Sequence, residues 1–321
     1  MKKRFLILAV TVFSLTIKGQ TTEAENKLRT AVNDTLLGWK KGGLVTLNFS
    51  QASFSNWAAG GQNSISLNGL ISTFINYKDS VSNWENMLDM GYGILKQGKQ
   101  GNFIKTDDKI DLSSKYGRNA SKTWYYAALL NFKTQMTPGY DYPNDSVKIS
   151  DFLAPAYILG ALGMDYKPNS SLTCFIAPIT LKTTIVNNTG LADAGAFGVE
   201  PAVYDSSHVL IKHGQGIRNE FGGYVRVIYK TTFFADKSVS LLTKFDLFSN
   251  YLHNPQNIDV SWETIIGFKV NKFIAATITT HLLYDDDVGI LIDKNKDGIT
   301  DAIGPRTQVK EVLGIGFSYK F

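Results

Sequence analysis

From about residue 43 to the C-terminus, apolar residues recur with a period of two, the signature of strands with one apolar face. Leu313, Ile315, Phe317, Tyr319 and Phe321 alternate with Gly314, Gly316, Ser318 and Lys320. Ile274, Ala276, Ile278, Thr280, Leu282 and Tyr284 alternate with Ala275, Thr277, Thr279 and His281. Trp262, Thr264, Ile266, Phe268 and Val270 alternate with Ser261, Glu263, Gly267 and Lys269. The same pattern gives segments at 43–51, 62–77, 83–96, 107–116, 122–135, 150–166, 172–184, 219–231, 239–251, 257–270, 273–284 and 309–321. Most of these runs are longer than the roughly 5–6 residues of a soluble strand and reach the roughly 9–11 that a tilted strand needs to cross a bilayer. Aromatics cluster near their ends, as in an interfacial girdle: Trp84, Tyr92, Trp124, Tyr126, Tyr166, Tyr229, Tyr284, Tyr319 and Phe321.

The connections sort by length. With the N-terminus in the periplasm, the periplasmic connections are short: 78–82, 117–121, 167–171, 232–238 and 271–272. Most of the outer ones are longer: 52–61, 97–106, 136–149, 185–218, 252–256 and 285–308. Short periplasmic turns and long outer loops are the outer-membrane pattern. Inside lipid every backbone N–H and C=O must be paired by protein, so only a helix or a closed barrel spans. No apolar run is long enough for a spanning helix. The expected fold is therefore all-β, one antiparallel transmembrane β-barrel of about 12 strands over residues 43–321. A soluble sandwich or lipocalin-like barrel is the alternative, and it needs neither strands this long nor outer faces this continuous.

Residues 1–20 have the layout of a secretory signal peptide. Lys2, Lys3 and Arg4 precede an apolar stretch from Phe5 to Ile17, which is too short to span a bilayer. Residues 21–42 read as a short periplasmic segment. Four of the formal charges that make the net +5 lie in the leader (Lys2, Lys3, Arg4 and Lys18), leaving +1 for the mature chain. That removes the basic face a nucleic-acid partner requires. A single cysteine, Cys174, excludes an intramolecular disulfide and a thiolate metal cluster.

Several segments resemble one family: Asn56-Trp57-Ala58-Ala59-Gly60-Gly61-Gln62-Asn63-Ser64, Trp124-Tyr125-Tyr126 followed by Lys133-Thr134-Gln135, and Ile149-Ser150-Asp151-Phe152-Leu153-Ala154-Pro155. Ala194-Gly195-Ala196-Phe197-Gly198-Val199 and Gly304-Pro305-Arg306-Thr307-Gln308 leading to Lys310-Glu311-Val312-Leu313-Gly314 belong with them. Together they resemble an uncharacterised outer-membrane β-barrel family of the Bacteroidota, a domain of unknown function. The resemblance implies outer-membrane residence in a Gram-negative bacterium and brings no catalytic residues. The terminal Phe321 also resembles the signal by which barrels are handed to the barrel-insertion machinery.

The sharpest local motif is Asp293-Lys294-Asn295-Lys296-Asp297-Gly298-Ile299-Thr300-Asp301. Oxygen ligands from Asp293, Asn295, Asp297 and Asp301, with the Ile299 carbonyl and a turn at Gly298, are what a wrapped Ca²⁺ loop needs. It departs from the EF-hand where Gly304 stands in place of the closing glutamate; Asp285-Asp286-Asp287 opens the same loop and could complete the shell. The competing reading is a solvated acidic turn. The expected role of the Ca²⁺ is structural, pinning a long outer loop.

Parity turns Glu85, Asp89, Lys109, Asp111, Lys115, Lys133, Lys182, Glu220, Arg226, Lys230, Lys244, Asp246, Glu263 and Lys269 toward the lumen. Two readings apply, a polar pore lining and a salt-bridge network that fills a narrow barrel. A selective ion filter favours one sign of charge, and this set is mixed. Loop 185–218 either folds inward as a constriction or stands outside as a binding surface. Loop 52–61, with Trp57, poses the same choice. Pro155 and Pro178 fall inside strand candidates and are expected at bulges. No enzyme is expected: His281 points to the lumen with no serine on its strand, and His208, His213 and His253 lie in loops. The leading functional expectation is a narrow or loop-gated pore for small polar solutes, in contact with outer-membrane lipid. The alternatives are a plugged barrel serving as a subunit with an envelope protein partner, and a lipid hydrolase.

Overall fold

The computed structural model describes residues 37–53, 62–98, 102–142, 144–235, 238–269, 274–292 and 301–320. The expected signal peptide, Trp57, Asp293 to Ile299, Val270 and Phe321 lie outside the described residues. No helix among those described is long and apolar enough to cross a membrane.

Twelve strands close into one antiparallel barrel in which each strand pairs with its neighbours in sequence and the last pairs with the first. They are β1 (Gly38–Ala52), β2 (Ser64–Lys78), β3 (Ser82–Gln97), β4 (Ile104–Asn119), β5 (Trp124–Thr134), β6 (Ala156–Tyr166), β7 (Leu172–Ile185), β8 (Ile217–Phe233), β9 (Val239–Asn250), β10 (Ile258–Lys269), β11 (Ile274–Tyr284) and β12 (Gln308–Lys320). Short turns join them at one end and long loops at the other, which we call the turn end and the loop end. The connection lengths therefore sort as the sequence predicts.

The alternation resolves into an apolar outer wall. Leu47, Leu67, Leu112, Leu130, Leu162, Ile179 and Leu313 all point outward and are exposed. A soluble barrel would present this surface to water, where an apolar patch of such extent is avoided; hydrocarbon tolerates it. At the turn end, outward aromatics pack in a row: Trp39 stacks on Tyr77 at 5.2 Å and on Trp84 at 6.0 Å, and Trp124 on Tyr166 at 4.8 Å.

Three departures from the sequence reading have local causes. β1 begins at Gly38 rather than 43, because Trp39-Lys40-Lys41-Gly42 lacks alternation and is drawn into the wall by pairing with β2 from Gly38–Lys78 onward. The segment predicted from 150 enters the barrel only at Ala156. Ahead of it a hairpin pairs Gly139 with Ser150, and a tight turn exchanges backbone bonds between Asp151 and Ala154. Gln135 Nε2 donates to both carbonyls of that turn. Pro155 thus precedes the strand and marks no bulge. Pro178 does sit at one: the register of β7 slips against β6 between Leu162 and Met164 and against β8 between Gly222 and Tyr224. Gly163 faces this bulge with no room for a side chain, since a Cβ there would overlap the Ile176 carbonyl.

Leu130 lies mid-strand on the outer wall, opposite Ser114 and Gly160. Leu130→Arg is expected to destabilise the barrel in vesicles by about 2–4 kcal/mol, the range for a cation at the bilayer midplane, measured by urea titration of tryptophan fluorescence.

Candidate functional site

The chemistry-bearing side chains converge inside the barrel, because alternate residues of every strand face the axis. The inward set includes Glu85, Asp89, Lys133, Arg226, Lys230, Lys244, Asp246, Glu263 and Lys269, and it falls into three layers.

At the turn end, Lys115 and Lys167 share the carboxylates of Glu85 and Asp165. The distances are 2.7 Å (Lys115–Asp165), 2.6 Å (Lys167–Glu85), 3.1 Å (Lys167–Asp165) and 3.5 Å (Lys115–Glu85). Lys167 also lies over the Tyr125 ring at 5.4 Å. Lys230 and Lys269 face the same end and have no ion pair among the described residues.

At the waist, Arg226 binds Asp246 through Nε at 2.7 Å and Nη2 at 3.1 Å, a two-pronged geometry. Asp111 accepts from Asn131 at 2.6 Å and lies 3.8 Å from Lys133. Ser72 donates to Asp89. Lys244 reaches Glu263 at 3.2 Å, and Lys109 reaches the same carboxylate at 3.8 Å. This last pair is diagnostic. β4 and β10 stand six places apart in a ring of twelve, so they face each other across the axis. Their side chains meet, and the lumen is bridged at its waist.

At the loop end, Lys182 Nζ sits among Asp259 at 2.7 Å, Glu220 at 3.4 Å and Asp285 at 3.4 Å, above the Phe248 ring. Arg218 joins Glu220 at 2.9 Å to Asp287 at 3.0 Å. Loop 186–216 packs over this layer. Val186, Leu191, Ala192 and Val199 form a small buried core with Ala154. The turn at Gly198, with φ of 77°, lies so close to Arg218 and the Asp287 carbonyl that a Cβ would strike both. A short helix, α1 (Thr189–Asp193), is capped by Asn188 Oδ1 accepting from Leu191 N. Asp193 ties the loop's two limbs by accepting from Gly214 N at 2.7 Å and pairing with His213 at 2.9 Å. The Gly214 N–H, then His213, hold its carboxyl below the usual carboxylate range. A depressed acid pKa means a tether fully present above the ordinary range and lost as pH falls through the lowered value. The loop thus divides: its base is buried against Ala154 and Arg218, while a hairpin at Val203–Tyr204 and Leu210–Lys212 stands exposed.

The list of inward charges did not reveal an apolar cluster set among them. Ala127, Leu129, Ala161, Phe175, Ala177, Tyr224 and Phe248 form one buried cluster on the inner faces of β5 to β9. The available signal was the near-continuous apolar run Trp124 to Leu130, which marks a strand buried on both faces. Among the described residues, two cavities lie within the barrel wall. One, of about 100 Å³, is lined by Asp89, Asp111, Ser113, Arg226 and Lys244 among others. The other, of about 160 Å³, is lined by Thr46, Asn48, Asn68, Thr277, Thr279 and Lys310 among others.

The structure also brings Ser261 Oγ to 2.9 Å from His281 Nε2, across β10 and β11. The serine comes from the neighbouring strand, where a search along His281's own strand does not find it. A hydroxyl–imidazole pair supports acyl transfer efficiently when an oxyanion donor stands beside it to hold the tetrahedral intermediate. The backbone around this pair is in register on both sides and committed to the ladder, and Glu263 is drawn to Lys109 and Lys244. The pair is a cross-strand hydrogen bond. Of the Ca²⁺ candidates only Asp301 is among the described residues; it is exposed, and its N–H donates to the Ile292 carbonyl at 2.8 Å.

Residues 49–140 match the model of a family described as a protein of unknown function (DUF3078). That stretch holds the quoted segments at 56–64 and 124–135; the others lie beyond it. No curated protein matches the chain. Among solved structures it is similar to the translocator domain of autotransporter NalP from Neisseria meningitidis, at 8% identity and a TM-score of 0.36, covering 96% of this chain and 100% of that one. It is also similar to an outer membrane channel from Pseudomonas putida F1, at 8% identity and a TM-score of 0.37, covering 90% and 97%.

Two outcomes are expected from this geometry. Arg226→Met should cost about 3–5 kcal/mol by leaving Asp246 buried and unpaired, whereas Arg226→Met with Asp246→Leu should recover most of it, read by urea unfolding in vesicles. Asp193→Asn should leave the barrel folded and speed protease cleavage within 186–216, followed by mass spectrometry.

Proposed function

We propose that this chain is an integral, non-enzymatic outer-membrane β-barrel, closed at rest by its own side chains, that serves as a membrane-held subunit presenting its loop end to an envelope partner. The carrying observation is the Lys109–Glu263 pair at 3.8 Å between strands on opposite sides of the ring. Charges held inside a low-dielectric wall stay paired because separating them leaves each without its solvent or its partner. A resting lumen crossed by such pairs, packed with the apolar cluster of β5 to β9 and overlaid by loop 186–216, supports a plug more than a conduit. In this reading the leader directs export, the apolar wall contacts outer-membrane lipid, and the strand ending in Phe321 is read by the barrel-insertion machinery. The assignment to the Bacteroidota rests on the quoted sequence segments.

A second reading, a narrow pore for small polar solutes, is favoured by the cavity lined by Thr46, Asn48, Thr277 and Thr279, small residues that leave room for a file of water. Planar-bilayer recording separates the two. The wild type is expected to show no conductance steps, and Lys109→Ser with Glu263→Ser is expected to open small ones. Steady wild-type conductance in simple salts would sink the closed reading and support the pore.

We further propose structural Ca²⁺ at Asp293, Asn295, Asp297, Ile299 and Asp301, supported by the ligand spacing alone. Terbium luminescence should report binding that Ca²⁺ displaces and that Asp297→Ala removes.

A further inference from the structure

β1 and β12 close the barrel, and theirs is the shortest pairing in the wall. It runs from Leu44–Lys320 to Asn48–Gly316, five pairs among the described residues. β1 pairs with β2 over fifteen positions, and β12 with β11 over ten. Continuing the register would set Phe49 against Ile315 and Gln51 against Leu313. Neither pair forms, although each residue stays in register with its other neighbour: Phe49 with Leu67, Gln51 with Ile65, Leu313 with Ile278 and Ile315 with Ala276. The seam is unzipped over its loop-end half.

The side chains fit that geometry. Phe49, Leu313 and Ile315 are 55%, 67% and 62% exposed. Asn48 stands at the fork, its amide lying against Gly314 and Gly316, where a Cβ would crowd or overlap it. Directly behind is the cavity of about 160 Å³, whose lining includes Thr46, Asn48, Thr277, Lys310 and Val312. An apolar lip thus opens onto a small, hydrogen-bonding chamber. Strand edges left unpaired in hydrocarbon carry backbone donors and acceptors that need a polar partner.

We infer that the loop-end half of the β1–β12 seam is a lateral opening that admits the polar head of a membrane lipid, with its acyl chains along Phe49, Leu313 and Ile315. The occupant follows from place: the opening is continuous with the lipid-facing wall, and the chamber behind it offers hydroxyl and amide groups to an oxygen-rich head group. The inference rests on the barrel lying in a membrane, as proposed above, and is independent of whether the lumen conducts.

The test uses the full mature chain with Cys174→Ser, in vesicles of phosphatidylethanolamine and phosphatidylglycerol. Leu47→Cys with Phe317→Cys, a pair inside the zipped register, should form a disulfide several-fold faster under mild oxidant than Phe49→Cys with Ile315→Cys, two residues further along. Equal rates would mean a zipped seam and overturn the proposal. A bimane label at Asn48→Cys, or at Thr277→Cys two strands away in the same cavity lining, should be quenched several-fold more by a head-group spin-labelled phospholipid than the same label at Ser113→Cys in the other cavity. Equal quenching at the three sites would overturn the lipid assignment. Flotation with the vesicles separates the two levels: a chain that does not float defeats the membrane reading and this one together, while a floating chain with equal rates defeats this one alone.

Discussion

The structure depends on closing a hydrogen-bond ladder. A sheet with an apolar face on the outside cannot end in lipid, because each edge N–H and C=O would face hydrocarbon without a partner. Joining β12 to β1 closes the ring and removes that edge over the turn-end part of the seam. Closure then dictates everything inside. It places alternate residues of twelve strands around one axis, and those residues must fill or hydrate the space they enclose. Here an apolar cluster and paired charges, contributed in large part by the same strands, occupy it.

The interior charges follow from that enclosure. Isolated ions there would be costly, and the chain answers with pairs whose members come from different strands: Arg226 with Asp246, Lys115 with Asp165, Lys182 with Asp259. Each pair ties two strands and so adds to the wall's rigidity as well as cancelling charge. Where the lumen is narrow the ties cross it, as Lys109 and Glu263 do, and as Lys310 and Asp107 do at 2.5 Å between strands four places apart. The same bonds that cancel the interior charge thus bridge the lumen from side to side.

Much of this is legible in the amino-acid sequence. The strand runs from 172, 239, 257, 273 and 309 match the observed β7, β9, β10, β11 and β12 to within one or two residues, because in each of them one face meets lipid and the other does not, which writes a strict alternation. Legibility fails where that contrast fails. Around Ala127 and Leu129 both faces are apolar, so the inner packing is hidden. In Trp39 to Gly42 neither face is clearly apolar, so the strand start is missed. Pro155 misleads because a proline only signals that a ladder donor is absent, and a strand that begins one residue later has no ladder to break.

Period and composition alone determined the barrel, its strand number, the inward list of charges and the two unequal ends, since each is set by local alternation and by where polar turn residues interrupt it. The partners of those charges, the fold of loop 186–216 over the mouth, the meeting of Ser261 with His281 and the half-open seam were decided only in three dimensions. All four depend on how far strands slide past one another and how wide the closed ring becomes. Those quantities emerge from the sum of every pairing around the ring, and no single segment carries them.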